Sequence, residues 1–176
     1  VKNVYIESEN QIVNITGGTL NMYGGTLKST SSQVAKGDGG SFNMYNGEVI
    51  ATSSQYSAIV QDAWTDGYSH QSLSFNMYGG YIYGGKYGVD NQAGYSNSTL
   101  IAGGTLEGNI YGLYIPHTDT SVTIDPRQGV YTIPTEDLNY ITTDKVFEPY
   151  VNKHDGVGIN RVDPVIIGGS YGLYIN

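Results

Sequence analysis

Short runs in which apolar and polar side chains alternate cover most of this chain, and pairs of glycines separate them. The same phrase occurs three times, at Asn21–Leu27, Asn43–Val49 and Asn76–Ile82: Asn-Met-Tyr, a glycine corner, one variable residue and an aliphatic residue. Shorter relatives stand at Ile15–Leu20, Ile101–Leu106 and Ile166–Tyr171. A period of two predicts strands, and no segment carries a helical period with caps. The aliphatic position (Leu20, Leu27, Val49, Ile82, Leu106) is predicted to point inward. The residue before it (Thr19, Thr26, Glu48, Tyr81, Thr105) is predicted to face water, because neighbours on a strand point to opposite sides. The glycine pairs are predicted to be corners, where a positive φ or close packing excludes a Cβ.

The spacing of these corners sets the architecture. The pairs that belong to these phrases fall at Gly17-Gly18, Gly24-Gly25, Asn46-Gly47, Gly79-Gly80, Gly103-Gly104 and Gly168-Gly169. From the second pair onward the steps are 22, 33, 24 and 65 residues. The first two copies are too close to be separate turns, so they are predicted to be successive strands of one turn. A second motif keeps the same beat, at Tyr56–Val60, Tyr87–Asn91, Tyr111–Ile115 and Tyr171–Ile175. Repeats at this period predict stacked turns. The expectation is an all-β chain, a right-handed parallel β-helix (β-solenoid) with about three strands per rung. Phe42 with Phe75, and Met22 with Met44 and Met77, are expected as inward columns. Asn21, Asn43 and Asn76 form another predicted column, as do Tyr23, Tyr45 and Tyr78.

Residues 1–176 are expected to form a single solenoid domain with an irregular excursion at 125–165. That stretch holds four of the five prolines but only three glycines. The chain ends on the repeat itself, which suggests either a piece of a longer array or an end covered by another subunit.

Composition narrows the partners. Charged residues make up 14% of the chain, below the roughly 25% of an average domain. The net charge is −8 and the 8 Lys and Arg do not cluster, which argues against nucleic acid and anionic membranes. No apolar stretch is long enough for a spanning helix, so no membrane insertion is expected. The absence of cysteine rules out disulfides and thiolate metal sites. Asn14-Ile15-Thr16 and Asn97-Ser98-Thr99 match the glycosylation acceptor pattern, by chance in so Asn-rich a chain.

The FNMYGG and GGTL…YGLYI phrases resemble β-helix repeats of secreted and wall-attached proteins of Gram-positive bacteria. That group shares the pectin lyase-like fold. The resemblance spans about 12–124 and 166–176. It implies an extracellular or cell-surface location and a fold that hosts adhesins, structural modules, polysaccharide lyases and hydrolases.

The residues themselves disfavour catalysis. No carboxylate pair recurs at rung spacing, as a hydrolase would need. The cations of the regular repeats are Lys28, Lys36 and Lys86, and none is expected over an acidic cluster. His70, His117 and His154 lack metal-ligand spacing, and Asp38-Gly39 and Asp155-Gly156 read as turns. No catalytic residue, metal or cofactor is assigned. One constellation remains: Trp64, Asp62, Asp66, Asp90 and His117, expected to share one edge if the turns stack. An aromatic ring beside carboxylates suits sugar recognition. The leading expectation is therefore a non-enzymatic extracellular module for adhesion, binding a glycan or other host or cell-surface ligand. A subunit that self-associates end to end into a filament, and a polysaccharide lyase or hydrolase, are the alternatives.

Overall fold

The structure is a computed structural model, and it describes residues 4–65, 70–92, 97–117, 121–125, 130–132, 150–152, 157–159 and 164–175. No helix occurs among them. In chain order the first strands are β1 (Tyr5–Ser8), β2 (Val13–Met22), β3 (Thr26–Ser29), β4 (Ala35–Met44), β5 (Glu48–Ala51) and β6 (Ile59–Gln61). A short antiparallel pair follows, β7 (Ala63–Thr65) and β8 (His70–Ser72). Next come β9 (Ser74–Met77), β10 (Tyr81–Gly84), β11 (Tyr87–Asn91), β12 (Ser98–Ile101), β13 (Thr105–Gly108), β14 (Tyr111–Ile115) and β15 (Ser121–Ile124). Within the irregular stretch lie β16 (Val130–Thr132), β17 (Tyr150–Asn152) and β18 (Val157–Ile159), which pair antiparallel. The repeat resumes with β19 (Val165–Gly168) and β20 (Tyr171–Ile175). Residues 126–129, 133–149, 153–156 and 160–163 lie outside the described residues.

Apart from these antiparallel groups, the described strands form two large curled sheets, parallel throughout. One has six strands in the order β1-β3-β5-β10-β13-β19. The other has nine, and its centre is β4: the first half pairs with β6, Ala35 opposite Ile59, and the second half with β9, Ser41 opposite Ser74. Partners along the chain are mostly one repeat apart, so like residues form rows. Met22, Met44 and Met77 are in register, as are Phe42 and Phe75, and all five are buried. Leu27, Val49, Ile82 and Leu106 make a second buried row. These rows belong to one continuous apolar core.

Glycine at the corner is a steric requirement. Gly80 has φ +88°, and a Cβ there would lie 2.6 Å from the Gly47 carbonyl oxygen and 2.7 Å from the Met44 methyl. Gly47 and Gly104 make equivalent approaches to the methyls of Met22 and Met77. The methionine of one repeat thus fills the space against the glycine of the next, which explains why the two travel together in the sequence.

Four expectations change in detail. Leu20 lies in β2 opposite Phe42 and is only half-buried, so it belongs to the phenylalanine row. Its glycines form a bulge against β4 instead of the corner shared by the other copies. Thr105 is buried between Tyr81 and Val165, because those bulky neighbours flank its row. Gly168-Gly169 aligns with Gly108-Asn109 and not with Gly103-Gly104. A Cβ at Gly84, Gly108 or Gly168 would strike the carbonyl oxygen three residues on, at Tyr87, Tyr111 or Tyr171, so this second corner needs glycine independently. Finally, Val89 pairs with Ile59, which puts Tyr56 one residue out of step with Tyr87.

A buried polar corner links the repeats. Asn97 donates to Asn91 Oδ1 at 3.0 Å and to the Gln61 carbonyl at 3.3 Å, and accepts from the Leu73 amide at 3.0 Å. Gln61 in turn donates to the carbonyls of Leu73 and Ser98 and accepts from the Thr99 hydroxyl at 2.6 Å. Buried amides so fully bonded are structural. Asn97 is therefore no glycosylation acceptor in the folded chain, whereas Asn14 is exposed.

Candidate functional site

The outer row of the nine-stranded sheet carries the candidate site. Registers place Asn14, Lys36, Val60, Asp90, Tyr114 and Tyr174 on successive strands of one row. Val89, beside Asp90 on β11, points into the core, so the strand's alternation turns the carboxylate outward. The side chain is nevertheless only 2% exposed. Its Oδ2 accepts from Gln92 Nε2 at 2.7 Å and from Ser57 Oγ at 3.3 Å. Its Oδ1 accepts no hydrogen bond from the described residues. Burial pushes the carboxyl above its usual range and the nearby Asp62 adds to that, while the Gln92 and Ser57 bonds and the Lys86 charge oppose it.

Asp90 forms part of the wall of an open hollow of about 250 Å³, with Lys36, Tyr56, Ser57, Lys86 and Gln92 around it. Lys36 also lines a second hollow of about 520 Å³, together with Gln11, Asn14 and Asp38. Asp38 occupies the bulge of β4, between Gly37 opposite Ile15 and Gly39 opposite Thr16. Its Oδ1 is likewise buried without a hydrogen-bond partner among the described residues. Lys36 Nζ lies 2.7 Å from Asp62 Oδ2, so the cation between the hollows is held in place by a partly exposed ion pair.

Tyr56 lines the first hollow, and Lys86 in its wall reaches a row of stacked tyrosines. Lys86 Nζ sits 4.6 Å from the centre of the Tyr87 ring. That ring stacks on Tyr111 and Tyr114, at 5.4 and 4.5 Å, and the stack continues to Tyr171 and Tyr174. Tyr23, Tyr45 and Tyr78 form a separate stack at 4.8 and 5.1 Å with planes 13° and 9° apart. In that stack the ring faces are spent on one another, so it acts as cross-strand packing and not as a flat platform. Burial there raises the Tyr45 hydroxyl to about 12.

Of the residues singled out from sequence, Asp62 and Asp90 come near each other here: Asp62 pairs with Lys36, which lines the hollow that holds Asp90. His117 is exposed just beyond β14 and lines neither hollow. Trp64 lies on β7 opposite Gln71 of β8, on a hairpin that lies against β4. Asp66 lies outside the described residues. Sequence reasoning did not place Lys36, Lys86 or Ser57 at the site. The available signal was the scarcity of cations: Lys36 pairs with Asp62, and Lys86 lies close enough to Asp90 to act on its charge. Among the described residues no group of His, Asp and Glu converges as a metal site.

No family model matches the chain, and no curated protein or solved structure shows significant similarity to it.

Proposed function

We propose that this chain is a right-handed parallel β-helix with three strands per rung, of the pectin lyase-like kind found on Gram-positive surface and secreted proteins. Its role in this reading is non-enzymatic: an extracellular adhesion module that binds a glycan over the Asp90 hollow. The architecture rests on the parallel registers one repeat apart and on the two halves of β4 pairing with different strands. The function rests on one observation. A nearly buried carboxylate, with one oxygen lacking a donor, stands in a polar hollow among two ammonium groups, amides and a tyrosine. Such a wall offers donors and acceptors in the mixture that sugar hydroxyls need.

The test is a glycan array probed with the purified chain, with Asp90→Ala and Trp64→Ala beside it. Binding lost with Asp90→Ala supports the site. Retention by Trp64→Ala would confine the site to the hollow, and loss would extend it to the β7–β8 hairpin. Profiles identical for parent and Asp90→Ala would remove the assignment. Release of reducing or unsaturated sugar from a bound polysaccharide would replace adhesion with catalysis.

A further inference from the structure

We infer that the two hollows on either side of Lys36 form one groove, and that it takes an uncharged oligosaccharide of at least two sugar residues lying across the strands. This inference rests on the glycan reading above and specifies its ligand. Three observations carry it.

The first is continuity. Lys36 lines both hollows, and its row leads strand by strand from Asn14 to Asp90. Lys36 and Asp90 are two strands apart, about 10 Å at the spacing of paired strands. Asp38 lies on the far side, two residues further along β4, so the two carboxylates stand further apart than one sugar ring can span.

The second is the pair of incompletely bonded carboxylates, one in each hollow. Buried acceptors are ordinarily paired, and leaving one without a donor is costly. Asp90 is almost wholly buried, and its Oδ2 is held by the amide of Gln92, itself an exposed side chain. A ligand hydroxyl that displaces this exposed amide opens the carboxylate, so that Oδ1, the oxygen without a donor, gains a hydrogen bond. Asp38, half-buried, offers its Oδ1 to the neighbouring sugar. Lys36 between them donates to ring or hydroxyl oxygens of either residue.

The third is charge. The groove holds Lys36 and Lys86 against Asp38, Asp62 and Asp90, and Asp62 already neutralises Lys36. No surplus positive charge remains to bind a run of carboxylates. A polyuronate would meet a wall that is neutral to acidic on a chain of net charge −8. Uncharged hydroxyls meet acceptors and donors in balance.

Calorimetric titration of the full chain tests this with oligomers of one to four residues of glucose, mannose and N-acetylglucosamine, and oligogalacturonates as the charged comparator. For one uncharged series, affinity is expected to rise about tenfold or more between one and three residues. It should change less than about twofold between low and moderate salt, since no counterions are released. Asp38→Asn should remove the gain with length and leave binding of the shortest binding oligomer within about twofold, whereas Lys36→Met, which alters the wall of both hollows, should weaken every length. Thermal melts of both variants confirm folding. If a glycan binds but the single sugar is as tight as the trimer, or oligogalacturonates bind tighter than the neutral series, this inference is overturned and the glycan reading stands. If no oligomer binds and the array is blank as well, both fail.

Discussion

At the scale of single residues, the corner glycines and Asp90 show two opposite demands. Gly80 is held by a positive φ and by the Gly47 carbonyl and Met44 methyl packed against it. Gly80→Ala is expected to cost about 2–5 kcal/mol, from the left-handed backbone and the overlap together. Gly17 has open space around it and no positive φ, so Gly17→Ala should be neutral or stabilise by up to about 1 kcal/mol. Chemical denaturation of the two variants measures the contrast, and equal losses would refute the corner mechanism. Asp90 works against stability. Its carboxyl is raised by burial, so the folded state holds the proton more tightly than the unfolded chain. The stabilisation linked to that proton is complete below the usual carboxylate range and is lost as pH rises through the folded value. Asp90→Asn should therefore gain stability relative to the parent at about pH 7, and the gain should vanish near about pH 3, where both forms are neutral. Urea midpoints at the two pH values decide it. A stabilising Asp90→Asn that loses glycan binding would mark a carboxylate retained for function.

At the scale of elements, the rows hold strands in register. Asn43 donates to Asn21 Oδ1 at 2.9 Å and accepts from Asn76 at 2.8 Å, so three strands share one amide ladder. Asn43→Ala breaks both bonds and should cost about 1–3 kcal/mol, while Asn76→Ala breaks one and should cost about half as much. Thermal melts compare them, and equal effects would show that the ladder contributes less than local packing. This ladder was legible in the sequence because Asn stands at one offset in three copies. The second corner was harder to read. Gly84, Gly108 and Gly168 are equivalent, but only two of them begin a Gly-Gly pair, and the third precedes Asn109. Counting pairs therefore put Gly168 in the wrong series, while the backbone approach that demands glycine treats all three alike.

At the scale of the whole molecule, one apolar core runs from β2 to β14. Leu27 and Leu106 occupy one row near opposite ends of it, and both are fully buried. If nearest-neighbour contacts couple the turns strongly, Leu27→Ala and Leu106→Ala should each lower a single shared transition, by about 2–5 kcal/mol. Circular dichroism and tyrosine fluorescence should then give coincident curves for both variants. Curves that separate in either variant would mean that the turns unfold piecemeal. The candidate site also belongs to this scale. Lys36 and Asp62 are far from Lys86 and Asp90 in the chain and meet them only because strands one repeat apart pair in register.

The sequence by itself determined the strands, the inward rows of Met, Phe and Leu, the Asn and Tyr columns and most corners. The reason is that a repeated steric demand leaves a repeated residue. Only the tertiary structure decided which polar groups face one another. Asp90 does not recur, and neither does Lys36, so no period announced them. Their closeness depends on register between strands, where a shift of a single residue, as between Tyr56 and Tyr87, changes every neighbour. Burial of Asp90, and an oxygen left without a donor, are properties of that assembled surface and of no single strand.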